Sequence, residues 1–178
     1  MFDARGTRSI LVAGLMVVGL TACAHRQAAS PPAVPATGGS IYHADILKAA
    51  RSNTAYRRVV LTGATMQIVL MSIPPGGDIG EEEHRRVEQI LFCAEGSGRA
   101  VIRGVGTPFR QGDVVFLAPG VRHNFVNDGS TPLKIYTIYS PPNHLHGRVQ
   151  QTKADAEADI ENQEFNRRVD EPGRRQAR

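Results

Sequence analysis

The sequence predicts an all-β domain, because short apolar segments follow one another at close spacing and are separated by turns rich in glycine and proline. The chain has 178 residues, with 18 glycines and 11 prolines, which is enough for one ordinary domain with appendages. Many short strands separated in this way indicate a barrel or a sandwich of antiparallel sheets. Seven segments have the length and composition of strands: residues 58–62, 66–73, 89–94, 99–104, 113–117, 123–126 and 133–140.

A short helix is predicted before the first strand, over residues 42–53, with His43 or Asp45 near its start. The strand at 66–73, MQIVLMSI, is almost wholly apolar, so we expect it to be buried on both faces or to lie at a dimer seam. Glycine and proline predict turns at residues 74–77, 95–98, 106–108 and 127–130.

The composition changes after Pro141 and Pro142. Residues 152–169 can form a helix, with Thr152 as its N-cap and Asp155 three positions later. Apolar positions are sparse in this helix, which predicts an exposed element followed by disorder. We therefore divide the chain after residue 40 into a β-domain at 41–150 and a charged helical or disordered tail at 151–178.

Residues 1–22 have the pattern of a bacterial export signal, with Arg5 and Arg8 before an apolar stretch that is too short to span a bilayer comfortably. The sequence LTAC at residues 20–23 resembles the lipobox of bacterial lipoproteins. The resemblance implies that Cys23 is lipidated and anchors the chain at the cell envelope, on the periplasmic or extracellular face. An ordinary secretory signal is the alternative. Residues 23–40, rich in Ala, Pro, Gly and Ser, are predicted to be a flexible tether.

The formal net charge of +4 is not gathered into a nucleic-acid-binding surface. The basic residues are scattered, and no basic stripe is interleaved with aromatic residues. We therefore expect no nucleic-acid partner.

Four side chains that can each offer a lone pair to a metal ion lie in two stretches of the chain. Residues 76–96 carry Glu82, His84 and Gln89, and residues 112–127 carry His123. Residues two apart on a strand face the same way, which places Glu82 and His84 on one side. Gln89 has the opposite parity, so the chain before it must turn or bulge. If the stretches are adjacent antiparallel strands, the four groups converge, and imidazole, carboxylate and amide oxygen suit a divalent first-row metal.

The same two stretches resemble the two sequence motifs of the cupin superfamily. In that family the first motif is Gly, five residues, His, one, His, three or four, Glu, six, Gly; the second is Gly, five residues, Pro, one, Gly, two, His, three, Asn. The chain departs from this pattern where Glu82 replaces the first His, Gln89 replaces the Glu, and Pro119 is displaced by one position. The residues that match in spacing are Gly76, Glu82, His84, Gln89, Gly96, Gly112, Gly120, His123 and Asn127.

The resemblance implies a jelly-roll β-barrel, over about residues 56–143, with a metal site inside its mouth. The stretches EEEHRRVEQ and IYTIYSPPNH are similar to a group of small single-domain bacterial cupins that includes a mannose-6-phosphate-isomerase-like group. Two interpretations of the changed ligand set stay open. One is a site of two His, one Glu and one Gln holding Mn, Fe, Zn or Ni, and the other is a polar pocket that has lost its metal. Cupins commonly pair through their sheets, so a homodimer is a further expectation.

Two functions follow as hypotheses. The first is a metal-dependent enzyme acting on a small oxygenated metabolite by isomerase- or dioxygenase-type chemistry, with Glu88 as a candidate general base. The second is a non-catalytic protein that binds a small molecule or sugar at the cell envelope. No nucleophile–base dyad, phosphate loop or cofactor fingerprint in the sequence favours a particular reaction. A buried Cys93 is expected to act as a small hydrophobe, and His144 and His146 form an HxH pattern on a loop.

Overall fold

The computed structural model describes residues 41–171. The predicted export signal at 1–22, the tether at 23–40 with Cys23, and residues 172–178 lie outside the described residues. Within the described part, the chain forms three helices and nine strands: α1 (Ile46–Ser52), β1 (Arg57–Thr62), β2 (Gln67–Ile73), β3 (Glu88–Glu95), β4 (Ser97–Ile102), β5 (Val105–Arg110), β6 (Val114–Leu117), β7 (His123–Val126), β8 (Leu133–Ser140), β9 (Val149–Gln150), α2 (Lys153–Ala158) and α3 (Ile160–Asp170).

The strands form two antiparallel sheets that share one core. The larger sheet has the order β6-β3-β8-β2-β1-β9 and the smaller has the order β5-β4-β7. Leu91 and Ile135 from the larger sheet and Phe109 and Phe125 from the smaller one lie in the same buried cluster. The predicted all-β fold, with a short N-terminal helix and C-terminal helices, is confirmed.

The two stretches that carry the predicted ligands are adjacent strands only in part: β3 pairs with β6, with Gln89 opposite Leu117. β3, which carries Gln89, belongs to the larger sheet, whereas β7, which carries His123, belongs to the smaller one. The stretches also pair before β3, where Glu82 and His123 form an isolated antiparallel bridge with N···O distances of 2.8 and 2.9 Å, and Asp78 and Val126 form another. The ligands therefore meet across the barrel interior.

The predicted turn at residues 106–108 is wrong, because these residues belong to strand β5. The hairpin instead turns at Arg103 and Gly104, which both have positive φ, at 51° and 82°. Two-residue hairpin turns with positive φ match the twist of the flanking strands. Pro108 is tolerated because β5 lies at the edge of its sheet, where a missing N–H breaks no ladder.

Helix α1 explains the almost wholly apolar strand β2. Asp45 caps the helix by accepting a hydrogen bond from the N–H of Lys48 at 3.0 Å. Ala50 then packs on Leu70 of β2, on the outer face of the sheet, while Met71 of the same strand enters the barrel core. Both faces of β2 are therefore covered, and each buried large side chain contributes about 1.5–3 kcal/mol.

The C-terminal region folds as two helices with a break at Asp159, where the sequence predicts one helix. Thr152 forms the predicted capping box with Asp155, and Asp159 caps α3 by accepting from the N–H of Asn162 at 3.1 Å. Most residues of α3 are exposed, as the sequence predicts, but one face is covered: Asn162 is 1% exposed and Val169 packs against the barrel core. None of the helices within residues 41–171 is long and apolar enough to cross a membrane.

Candidate metal centre

Three of the four predicted ligands form a compact group inside the barrel mouth. One ligand atom each from Glu82, His84 and His123 lies within 4.8 Å of the others. Oε2 of Glu82 is 3.5 Å from Nε2 of His84 and 3.9 Å from Nε2 of His123. Ligands at about 2.0–2.2 Å from one ion lie roughly 3–3.5 Å apart, so only a small contraction would bring these atoms to bonding distance.

His123 is held in the tautomer that a metal ligand needs. Its Nδ1 lies 2.8 Å from the carbonyl oxygen of Val121. Because a carbonyl only accepts, Nδ1 carries the proton and Nε2 keeps its lone pair. Nε2 is buried, and none of the described residues offers it a hydrogen-bond partner.

Gln89 is placed on the interior face of β3, beside Tyr139 of β8. Its amide Nε2 donates to the Thr137 hydroxyl at 3.2 Å, which leaves Oε1 buried without a hydrogen-bond partner in the described chain. The residues between His84 and β3 form no strand, which is how the chain changes the parity of Gln89. An amide oxygen with free lone pairs is a suitable, weak ligand for a divalent cation.

His84 is contacted from outside the barrel by helix α3. Its Nδ1 is 3.6 Å from Oδ2 of Asp170 and 3.5 Å from the amide nitrogen of Asn143. Asp170 and Asn143 therefore contact the ring through Nδ1, while its Nε2 faces Glu82. Arg86 fixes this end of α3: its backbone N–H donates to Asp170 at 3.3 Å and its guanidinium donates to the Glu171 carbonyl at 2.8 Å.

Neighbouring charges shift the pKa values of the predicted ligands. Burial alone would raise the pKa of Glu82, but the contact with His84 and the charge of Arg57 outweigh it and lower the pKa to about 2. Burial works against a charged His84, yet Glu82 and then Asp170 raise the pKa of this imidazole above its usual value. Burial lowers the pKa of His123. A carboxylate that stays ionised and a neutral imidazole are both ready to bind a cation.

Arg57 is a buried cation beside the group that sequence reasoning missed. It is 7% exposed, and its Nη2 lies 3.6 Å from Oε1 of Glu82, the oxygen not directed at the histidines. A second contact, at 3.4 Å, joins its Nη1 to Oε1 of Gln150. An arginine that starts a strand is ordinarily a surface charge. The one signal in the sequence that its side chain is buried is its position two residues before buried Val59, which places both side chains on the same face of β1.

His144 is a second buried residue that sequence reasoning undervalued. Its backbone N–H and C=O both bond to the side chain of Gln67, at 2.9 and 2.7 Å, and its ring stands edge to face with Tyr139 at 5.1 Å between centroids. Burial and the charge of Arg57 hold the pKa of His144 well below its usual value. The HxH pattern was a signal, but His146 is exposed and the two do not act as a pair.

The remaining candidates are not brought into this group. Glu88 is exposed at the start of β3, where alternation directs its neighbour Gln89 inward.

Cys93 lies in the core, and burial raises the pKa of its thiol to about 11, which fits the predicted hydrophobic role. A cavity of about 480 Å³ lined by Tyr56, Lys134 and other residues contains none of the predicted ligands. The predicted site therefore rests on donor chemistry and not on cavity size.

The fold and the site together define a two-sheet β-barrel with side chains that can bind a metal in its interior. The Cupin domain family matches residues 69–139. The chain is 36% identical to protein BH2720 of Bacillus halodurans, of known crystal structure, with a TM-score of 0.66 over 68% of this chain and 97% of that one. Protein TT1209 of Thermus thermophilus, at 18% identity, shares the fold with a TM-score of 0.52 over 57% of this chain and 98% of its own. Residues 69–139 therefore form a domain of the cupin superfamily.

Two curated relatives match the same region of sequence. Protein YrkC of Bacillus subtilis is 41% identical over 121 residues, which is 64% of this chain and 64% of YrkC, so the match spans less than two thirds of that relative. Protein L612 of Acanthamoeba polyphaga mimivirus is 31% identical over 113 residues, which is 61% of this chain and 71% of L612.

Proposed function

We propose that this chain is an exported, lipid-anchored cupin that binds one divalent metal ion in its barrel and acts on a small oxygenated metabolite. The observation that carries the proposal is the set of buried polar atoms without hydrogen-bond partners among the described residues: Nε2 of His84, Nε2 of His123 and Oε1 of Gln89. Buried polar atoms in folded proteins are nearly always paired, so the two unpartnered imidazole nitrogens that face the Glu82 carboxylate point to a cation.

The residues of the chain have distinct roles in this proposal. Glu82, His84 and His123 would hold the ion and Gln89 would add a weak fourth ligand. Val121 sets the tautomer of His123, and Asp170 orients His84. The apolar wall, which includes fully buried Leu91 and Phe125, excludes water from the interior. A bound ion of this type supplies Lewis acidity or, if it is iron or manganese, redox chemistry.

The alternative is a cupin that binds a small molecule or a sugar without transforming it. The position of Glu88 favours this alternative, because its exposed side chain leaves the interior without the general base that the sequence predicts. Turnover of a metabolite by the wild type would decide for the enzyme, and saturable binding without turnover would decide for the alternative.

Metal analysis of the purified protein tests the central step. We expect about one ion per chain, lost in His84→Ala and in His123→Ala and kept in Glu88→Gln, an exposed neighbour on the same strand as Gln89. A folded wild type that stays metal-free after incubation with Mn²⁺, Fe²⁺, Zn²⁺ and Ni²⁺ would overturn the proposal.

Anchoring through Cys23 and pairing of two chains are separate parts of the proposal. The lipobox resemblance at residues 20–23 supports the anchor. Val114 and Phe116 on edge strand β6, 55% and 59% exposed, support a homodimer through the outer face of the larger sheet. Membrane fractionation and fatty-acid labelling of wild type and Cys23→Ser test the anchor, which fails if the variant is labelled and fractionates as the wild type does.

A further inference from the structure

Arg57 enters the barrel interior beside the proposed metal ligands. It pairs with Met71 in the register of β1 and β2, and Met71 lies in the barrel core. Glu82 links the arginine to the ligands, because Oε1 faces Arg57 at 3.6 Å while Oε2 faces both histidines. The guanidinium is therefore adjacent to the place where an ion would sit.

The charge of Arg57 is balanced only while the ion is absent. Without an ion, Glu82 neutralises the arginine across the 3.6 Å contact. A bound divalent cation draws on the same carboxylate, and the remaining ligands, two imidazoles and an amide, are neutral. Asp170 is the one further carboxylate in contact with these ligands among the described residues. Positive charge then remains in a buried site, where uncompensated charge is costly.

Tyr139 stands edge to face with the rings of both His84 and His144, and His144 carries a buried hydrogen-bond donor, not a metal ligand. Asn162 accepts from the N–H of Leu145 at 3.0 Å, which fixes its amide so that its nitrogen donates to Nδ1 of His144 at 3.1 Å. The neutral ring must then carry its proton on Nε2. That N–H is buried and finds no acceptor in the part of the chain that the structure describes.

Nε of Arg57 is a second buried donor of the same kind. It too lacks a hydrogen-bond partner within residues 41–171. Both side chains are more than nine-tenths buried, at 7% exposure for Arg57 and 2% for His144. Orphaned donors at this depth are expensive unless something accepts from them.

We propose that the metal-loaded site takes a small carboxylate, held by Arg57 and His144 beside the ion. The inference rests on the proposed function and narrows its substrate class. A carboxylate supplies the missing negative charge and two acceptor oxygens, and its planar shape matches the donor fork of a guanidinium. A neutral sugar supplies the oxygens but not the charge.

Binding of glycolate and of glycolamide to the metal-loaded full chain tests the proposal by calorimetry. The two probes share a hydroxyl group and differ in charge. We expect glycolate to bind at least tenfold more tightly than glycolamide, and more tightly to the loaded protein than to the chelator-treated protein. His144→Phe should weaken glycolate binding about tenfold or more while the metal content stays unchanged. His146→Phe, on the exposed side of the same loop, is the matched control and should leave binding unchanged.

Arg57→Lys is the second variant, because it keeps the positive charge beside Glu82 but removes the planar fork. It should weaken glycolate binding while keeping the metal. Equal binding of glycolate and glycolamide, preference for inorganic phosphate over glycolate, or glycolate binding unchanged in both variants would each overturn the inference. A metal-bound protein with any of these results leaves the proposed function standing, whereas a protein that binds no metal removes both.

Discussion

The barrel wall, formed by β2, β3, β7 and β8, and helix α3 surround the same site with opposite chemistry. The wall is apolar around the ligands, with Leu91 and Phe125 completely buried. Helix α3 instead turns polar side chains toward the site, and Asn162 and Asp170 contact His144 and His84. The wall therefore contributes apolar burial to folding, whereas α3 contributes polar contacts to the Nδ1 atoms of His84 and His144.

The largest expected effect is the loss of metal binding when a histidine ligand in the wall or its mouth is removed. Loss of an imidazole in His84→Ala or His123→Ala should abolish stoichiometric metal binding, because two neutral or weak ligands cannot hold the ion beside one carboxylate. Competition with a chromophoric chelator measures the affinity. Retention of metal at wild-type affinity in either variant would break the assignment of that residue as a ligand.

The wall and α3 should also differ in how much they contribute to the free energy of unfolding. Leu91→Ala should lower the free energy of unfolding by about 2–5 kcal/mol, because it opens a cavity in the wall. Asn162→Ala should cost only about 1–3 kcal/mol, because it strands the Leu145 N–H and the His144 ring nitrogen without removing apolar packing. Urea unfolding of both variants in chelator gives the values. If Asn162→Ala lowered the free energy of unfolding more than Leu91→Ala, the wall would not be the more stabilising region.

Asp170→Asn tests whether α3 acts on the metal. The amide oxygen of Asn is an uncharged and weaker acceptor for His84 than a carboxylate, so metal affinity should fall about 10- to 100-fold. The stability of the metal-free protein should change much less. Glu164→Gln, an exposed acid on the same helix, is the control, and Asp170→Glu should recover part of the affinity. Unchanged affinity in Asp170→Asn would show that α3 is only a cover.

The smallest expected effect is the pH dependence of the metal-free protein. The pKa of Glu82 is lowered, so its contribution is present above its unfolded value of 4.5 and is lost as the pH falls toward about 2. The pKa of His84 is raised, so its contribution is present below 6.5 and is lost as the pH rises through the folded-state pKa. The interaction between Glu82 and His84 should therefore add about 1 kcal/mol to the free energy of unfolding near pH 5–6. Unfolding of Glu82→Gln at several pH values should show a flatter profile, and an unchanged profile would contradict the pairing.

Patterns in the sequence were sufficient to predict the strands of the wall and the ligands that they carry. Alternating or continuous apolar runs predicted seven strands, and motif spacing singled out Glu82, His84, Gln89 and His123, of which three form one group in the structure. Spacing alone could not show that β3 and β7 lie in different sheets, because pairing depends on contacts distant in sequence.

The same patterns failed for α3 and for Arg57. A polar face repeated at residues 162, 166 and 170 is the signature of a solvated helix, and nothing local shows that it covers a barrel mouth. The roles of Asp170, His144 and Arg57 come from tertiary contacts alone. Functional sites are where local rules are expected to break, because a polar group is buried there for its chemistry and not for stability.

An anomalous difference map of crystals grown with Zn²⁺ or Mn²⁺, recorded at the absorption edge of the metal, would show whether Glu82, His84 and His123 hold one ion. We expect one strong peak at about 2.0–2.2 Å from a carboxylate oxygen of Glu82 and from Nε2 of both His84 and His123. A fully folded barrel with no peak there, or with its only peak at surface residues such as His146, would contradict it.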